Sequence, residues 1–253
     1  MKRYIKIMLL ASAAVMTLCG LSACIDETVP TDEATPATIK TDSKSLSYLA
    51  NSLPSFLTTW NTYNSGDYTQ DWGYPCQMYM RDLLCADFPQ SDNSFNYWDY
   101  IEDGSSLRYA YYYTFYYYYV FIKNANGVIS VGKDAVDGGN EAAKKYLGQG
   151  YGYRAMLYLD LERLFEYKKT GVSYLDKQAD SIGCMGITIP IVTDKTTKVE
   201  LKNNPCAPFY TMNRFIMTDL NRAEENLAGY NREHKAFMDQ SVIYGLKTRL
   251  WLD

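Results

Sequence analysis

The chain has 253 residues, 47% of them hydrophobic, with a formal net charge of −4 and a single histidine, His234. An acidic chain without a basic cluster argues against nucleic acid and anionic lipid surfaces as partners. One histidine, and cysteines in no metal-ligand spacing, argue against a zinc or haem centre, so no metal and no cofactor are expected.

Residues 1–23 read as an export leader. Lys2, Arg3 and Lys6 form a positive start, and residues 7–18 form an apolar core too short for a settled membrane span. Leu21-Ser22-Ala23-Cys24 matches a lipobox, in which small residues precede a cysteine that is diacylated and becomes the new N-terminus. Cys19 follows Met16-Thr17-Leu18, a poorer fit. Lipid on Cys24 would anchor the protein to a membrane rather than thread it through one. Cleavage leaves 230 residues and, with three cations lost, takes the charge from −4 to −7. Cys76, Cys85, Cys184 and Cys206 stay in the mature part, and their spacing does not choose among the three possible pairings.

Residues 24–43, rich in Thr, Pro, Asp and Glu, form an expected tether with a reach on the order of 25 Å. Leu46, Leu49, Leu53, Phe56, Leu57 and Trp60 then make a helical face, kinked or broken near Pro54. Residues 61–74 are polar loop, and Pro75 suits the first turn of a short helix. Residues 88–104 read as a long polar loop studded with aromatics.

Between Tyr109 and Tyr119 the chain packs eight of its 25 tyrosines around Phe115. Tyr112, Phe115, Tyr119, Ile122, Asn126 and Ile129 keep helical spacing, which predicts helix over 107–131 despite the β-propensity of the aromatics. The tyrosines are best placed as packing between helices, with hydroxyls at the rim.

Residues 141–165 carry the densest pattern. Ala143, Leu147, Gly150, Arg154, Leu157, Leu161 and Phe165 share one helical face, and Tyr146, Tyr151, Ala155, Tyr158 and Leu164 widen it until neighbours are needed on several sides. Asn140 is the expected N-cap, with Lys168, Lys169 and Gly171 as a basic last turn and C′ glycine. Gly148, Gly150 and Gly152 are expected to let other helices approach closely. Arg154 should be a buried charge paired with Asp160 or Glu162, and Arg222 a solvated partner of Asp219 and Glu225. Residues 186–193, β-branched around Pro190, suit an extended loop or edge strand. Pro208 opens a helix striped by Phe209, Met212, Ile216, Leu220, Ala223 and Leu227, and Asp239 caps a last helix. No stop signal follows that helix, so the sequence is read as the front part of a longer protein.

Several pieces, in this order, resemble the SusD-like (SusD/RagB) family of outer-membrane nutrient-binding lipoproteins. Ile122-Lys-Asn-Ala-Asn-Gly-Val-Ile129 resembles I-x-x-A-N-x-x-I, and residues 146–165 are similar to G-E-A-x-x-x-R-A-x-x-Y-x-x-L-x-x-x-F. Residues 186–193 resemble G-x-P-L-V-T, residues 216–223 resemble I-x-x-D-L-x-x-A, and residues 245–252 resemble A-x-x-x-A-R-x-Y-L. Gln149, Gly150 and Asn213 depart from the pattern. The resemblance implies an all-α fold of tetratricopeptide-like helix pairs over residues 44–253, with long ligand-binding loops and few short strands. It also implies a non-catalytic surface lipoprotein of the outer membrane. Such a protein passes glycans, or in some members peptides, to a TonB-dependent (SusC-like) β-barrel transporter.

The ligand site is expected at Asn96, Tyr97, Trp98, Asp99 and Tyr100, with Trp72 and Tyr74 as further candidates. Sugar rings lay C–H faces on aromatic rings while their hydroxyls need fixed donors and acceptors. An enzyme is the rival reading, since Asp87, Asp92, Asp99, Glu102 and Asp103 crowd the same region and a glycosidase needs two carboxylates about 5 to 9.5 Å apart. No motif fixes such a pair, and G-x-S-x-G and H-E-x-x-H are absent. A ligand-free helical adaptor is the third reading.

Overall fold

A computed structural model describes residues 43–58, 73–84 and 107–252. In chain order they form helices α1 (Ser43–Phe56), α2 (Gly73–Leu84) and α3 (Leu107–Asp137), a 3₁₀ turn (Glu141–Ala143), and helices α4 (Lys144–Phe165) and α5 (Ser173–Ser181). Strand β1 (Ile187–Pro190), the short helix α6 (Lys198–Leu201), strand β2 (Cys206–Pro208), and helices α7 (Phe209–Asn226) and α8 (Gln240–Trp251) follow. The two strands pair antiparallel. No described helix is long and apolar enough to cross a membrane.

The tyrosine-rich stretch is helix throughout, and α3 continues six residues beyond the predicted end. At 1.5 Å per residue it is about 46 Å long. Tyr117, Tyr118, Phe121, Ile122, Ala125 and Ile129 are buried, whereas Tyr111, Tyr112 and Tyr116 stay exposed. Burial of one face thus outweighs the aromatic β-propensity. In α1 the Leu46 and Leu53 side chains are buried, and Pro54 falls in the last turn without ending the helix before Phe56. Helix α2 begins at Gly73, two residues before the expected Pro75.

α3 ends in a Schellman motif. Gly139 adopts φ +91°, its N–H donates to the Val136 carbonyl at 2.9 Å, and the Asn140 N–H donates to the Ala135 carbonyl at 2.9 Å. Asn140 therefore closes the preceding helix through its backbone, and its side chain makes no capping bond. The other end of α4 also differs from expectation. The helix stops at Phe165, with Glu166 extended, so Lys168 and Lys169 lie outside it. Gly171 belongs to the turn before α5, where the Asp176 carboxylate accepts from the Thr170 and Gly171 N–H groups at 2.8 and 3.2 Å.

Between Leu147 and Glu162 only Met156 escapes burial, and α4 packs mainly against α3 and α7, with α1 and α8 beside it. Its three glycines admit three different neighbours. A Cβ on Gly148 would lie 2.6 Å from Leu227 Cγ, one on Gly150 2.8 Å from Ile129 Cγ1, and one on Gly152 2.7 Å from Met238 Sδ. On α7, Met212, Ile216, Leu220 and Ala223 are buried as the stripe requires, as is Leu227 just beyond. Asp239 caps α8 by accepting from the Val242 N–H at 3.1 Å.

Candidate functional site

Arg154, 1% exposed on α4, is held on three sides. Its Nε and one terminal nitrogen donate to Oδ2 and Oδ1 of Asp219 on α7 at 2.6 and 2.9 Å. The other terminal nitrogen donates to Asn126 Oδ1 on α3 at 2.7 Å and to Asp194 Oδ1 at 2.9 Å. The guanidinium also lies 5.2 Å from the Phe215 ring centroid and 5.6 Å from that of Tyr151. Burial works against the charge, but the hydrogen bonds and charges of Asp219 and then Asp194 outweigh it and raise the arginine pKa further.

Asn126 links this cluster to the chain after β1, since its amide donates to the Val192 carbonyl at 3.1 Å. The Tyr158 hydroxyl donates to the same carbonyl at 3.0 Å and accepts from the Val192 N–H at 2.7 Å. Tyr119 donates to the Pro190 carbonyl at 2.5 Å. The family-like pieces that carry Asn126, Arg154, Tyr158 and Asp219, and the extended run at 186–193, therefore meet in one buried assembly. Their residue types follow from its chemistry: a fork of donors, two carboxylates and an amide able to donate and accept.

A second buried anion, Asp160, serves the other end of α4. It accepts from the Tyr74 hydroxyl at 2.6 Å, Tyr118 at 3.3 Å, Arg249 at 2.9 Å and Arg81 at 3.4 Å. Arg154 is thus paired with neither Asp160 nor Glu162. Asp219, taken as a solvated partner of Arg222, is fully buried on Arg154, with Arg222 3.8 Å away. Asn213, with its amide turned to donate, places nitrogen 2.9 and 3.0 Å from the two oxygens of buried Glu162. Gln149 donates to the Met238 carbonyl at 2.6 Å and accepts from the Met238 N–H at 2.9 Å. Two of the three departures from the family pattern, Gln149 and Asn213, are therefore engaged in local pairings.

Of the expected ligand residues, Asn96, Tyr97, Trp98, Asp99, Tyr100 and Trp72 lie outside the described residues, as do Cys24, Cys85 and the carboxylates at 87, 92, 99, 102 and 103. Tyr74 is described. Its hydroxyl serves Asp160, and burial, then the Asp160 charge, push its pKa well up. Cys184 and Cys206 carry free thiols.

Two kinds of hollow open on the described surface. One, about 200 Å³, lies over Arg154 between Lys133, Tyr151, Thr193, Asp194, Phe215 and Arg222. Its polar groups largely serve one another: Arg154 is surrounded, Lys133 pairs with Asp137 at 3.0 Å, and Arg222 lies 5.4 Å from the Tyr151 ring centroid. The other is a groove between α1, the start of α4 and the segment before α8. Its polar residues Asn51, Lys145 and Glu233 are not among the ligand residues expected from the sequence.

No protein-family model matches the sequence, and no curated protein matches it. Solved structures do. A SusD-like carbohydrate binding protein from Bacteroides vulgatus ATCC 8482 is similar with a TM-score of 0.63 at 21% identity, over 83% of this chain and 41% of that one. A SusD-like carbohydrate binding protein from Bacteroides fragilis NCTC 9343 gives 0.52 at 16% identity, over 84% and 37%. A SusD superfamily protein from Bacteroides thetaiotaomicron VPI-5482 gives 0.51 at 14% identity, over 83% and 42%. The chain spans about two fifths of the length of these proteins. Its described residues have the helical fold of the SusD-like proteins.

Proposed function

We propose that the chain belongs to a non-catalytic surface lipoprotein of the SusD-like family. It binds glycans and passes them to a TonB-dependent β-barrel transporter in the outer membrane. The observation that carries this reading is the fold shared with two structures described as SusD-like carbohydrate binding proteins. The leader and the Leu21-Ser22-Ala23-Cys24 box support a lipid anchor at Cys24. In this reading the helices are scaffold, and the Asn96, Tyr97, Trp98, Asp99 and Tyr100 segment supplies stacking rings beside hydrogen-bonding side chains.

A glycan array on the full protein, followed by calorimetry, tests the binding claim. Saturable binding without product release is expected, and Trp98→Ala should weaken it by about 1 to 3 kcal/mol. Binding of peptides alone would favour a peptide-binding member of the family. Turnover abolished by Asp99→Asn would overturn the non-catalytic reading. For the anchor, Cys24→Ala should release the protein from the membrane fraction; retention there would count against lipidation at Cys24.

A further inference from the structure

We propose that the groove between α1, the first turns of α4 and residues 230–237 is a second saccharide subsite, taking one or two neutral pyranose rings. The proposal rests on the glycan-binding reading above and adds a place on the scaffold itself. One hollow of about 210 Å³ has three partly exposed rings, Tyr146, Tyr230 and Phe237, in its wall. Asn51, Lys145 and Glu233 stand among them. A second hollow of about 270 Å³ shares Ser47, Lys145 and Tyr146 with the first and continues toward residues 140–143. Each hollow is of the order of a single sugar ring, and their shared wall makes one groove.

The polar side chains here differ from those over Arg154 in one respect: among the described residues Asn51, Lys145 and Glu233 form no side-chain hydrogen bond or ion pair with one another, although the Tyr230 hydroxyl meets the Glu233 backbone. Among the described residues neither the Asn51 amide nor the Glu233 carboxylate has a side-chain hydrogen bond or ion pair. The Lys145 ammonium has no ion pair among the described residues and lies 4.9 Å from the Tyr146 ring centroid. Gln149, also in the wall, is occupied by the Met238 backbone. The groove therefore offers an amide that donates and accepts, an ammonium that donates and a carboxylate that accepts, around apolar ring surface. Pyranoses ask for that combination, with C–H faces against rings and hydroxyls that both donate and accept. Lys145 and Glu233 oppose each other in charge beside Tyr230, so the groove selects neither acidic nor basic sugars.

The test is calorimetry on the full protein with soluble neutral hexaoses (malto-, cello-, xylo- and manno-oligosaccharides), comparing wild type, Trp98→Ala, Asn51→Ala, Glu233→Gln and Tyr230→Ala. Asn51 and Glu233 are exposed, so their substitution leaves folding intact, and Tyr230→Phe controls for the ring. For the hexaose that wild type binds, Asn51→Ala and Glu233→Gln should each weaken binding severalfold and Tyr230→Ala about tenfold, in the Trp98→Ala background as well. Isotherms unchanged by all three groove variants, while Trp98→Ala still weakens binding, would overturn the groove and leave the glycan reading standing. Absence of binding to wild type by every hexaose would overturn both.

Discussion

Arg154 and Asp219, 65 residues apart in sequence, meet through two hydrogen bonds of 2.6 and 2.9 Å with both side chains at most 1% exposed. The pair joins α4 to α7, and Asn126 and Asp194 complete the shell from α3 and from the chain after β1. Removing one partner strands the other charge in the interior. Arg154→Met or Asp219→Ala should therefore cost about 3 to 5 kcal/mol, read as a lower urea midpoint. Arg154→Lys should rescue little, since one ammonium with three donors cannot reproduce a planar fork that reaches four acceptor oxygens on three residues. A midpoint within error of wild type for Arg154→Lys would refute this account of the assembly.

The α4 glycines allow a paired comparison. A Cβ at Gly150 would meet the Ile129 side chain at 2.8 Å and its backbone nitrogen at 3.3 Å, whereas one at Gly127 on α3 meets nothing within 4 Å. Gly150→Ala should destabilise by about 1 to 3 kcal/mol, because a helix backbone must shift. Gly127→Ala should instead stabilise by roughly 0.5 to 1 kcal/mol through helix propensity. Thermal unfolding of the two variants separates the effects by sign.

Gln149 pairs with both backbone groups of Met238 and is 2% exposed. Gln149→Glu keeps the acceptor and loses the donor, setting a buried carboxylate against a carbonyl. A loss of about 1 to 3 kcal/mol is expected at neutral pH. Burial raises the carboxyl pKa above its unfolded value, so the penalty is largest above that folded pKa. It should shrink as pH falls through the folded pKa and the protonated acid becomes a donor. Urea midpoints of the variant and wild type should converge on acidification; a constant gap would rule this out.

At α8, the Ser241 hydroxyl, the Val242 N–H and Arg232 hold the Asp239 carboxyl below its ordinary value against the cost of burial. A lowered folded pKa contributes stability that is fully present above the unfolded value of about 3.9 and is lost as pH falls through the folded pKa. Asp239→Asn keeps a capping oxygen without titration and should flatten that part of the acid unfolding curve. Asp239→Ala should cost about 0.5 to 2 kcal/mol at neutral pH.

The helices were legible because burial imposes a 3.6-residue period, and α4, α7 and the cap at Asp239 follow it closely. The partners of the buried charges were not. Asp160 and Glu162 suggested themselves for Arg154 because they are near in sequence, yet on a helix only residues three or four apart are neighbours. Asp160 lies six residues on, and it faces α2 and α8 instead. Asp219 could be found only by packing α7 on α4. The groove at Asn51, Lys145 and Tyr230 was hidden for the same reason, since its walls come from three separated segments.

The shell around Asp160 has a consequence for the order in which the domain can be assembled. Its acceptor oxygens draw on Tyr74 and Arg81, 86 and 79 residues earlier, and on Arg249, 89 residues later. Arg81 reaches it only at 3.4 Å, so the closest cation, at 2.9 Å, is among the last parts of this stretch to leave the ribosome. Until Arg249 emerges, docking α4 fully against α3 would bury a poorly neutralised carboxylate. A nascent chain halted before residue 249 is therefore expected to keep α4 open to protease, and one that carries Arg249 clear of the exit tunnel on an appended linker to close. Pulse proteolysis of stalled chains of graded length would read that step as a late and abrupt gain of protection.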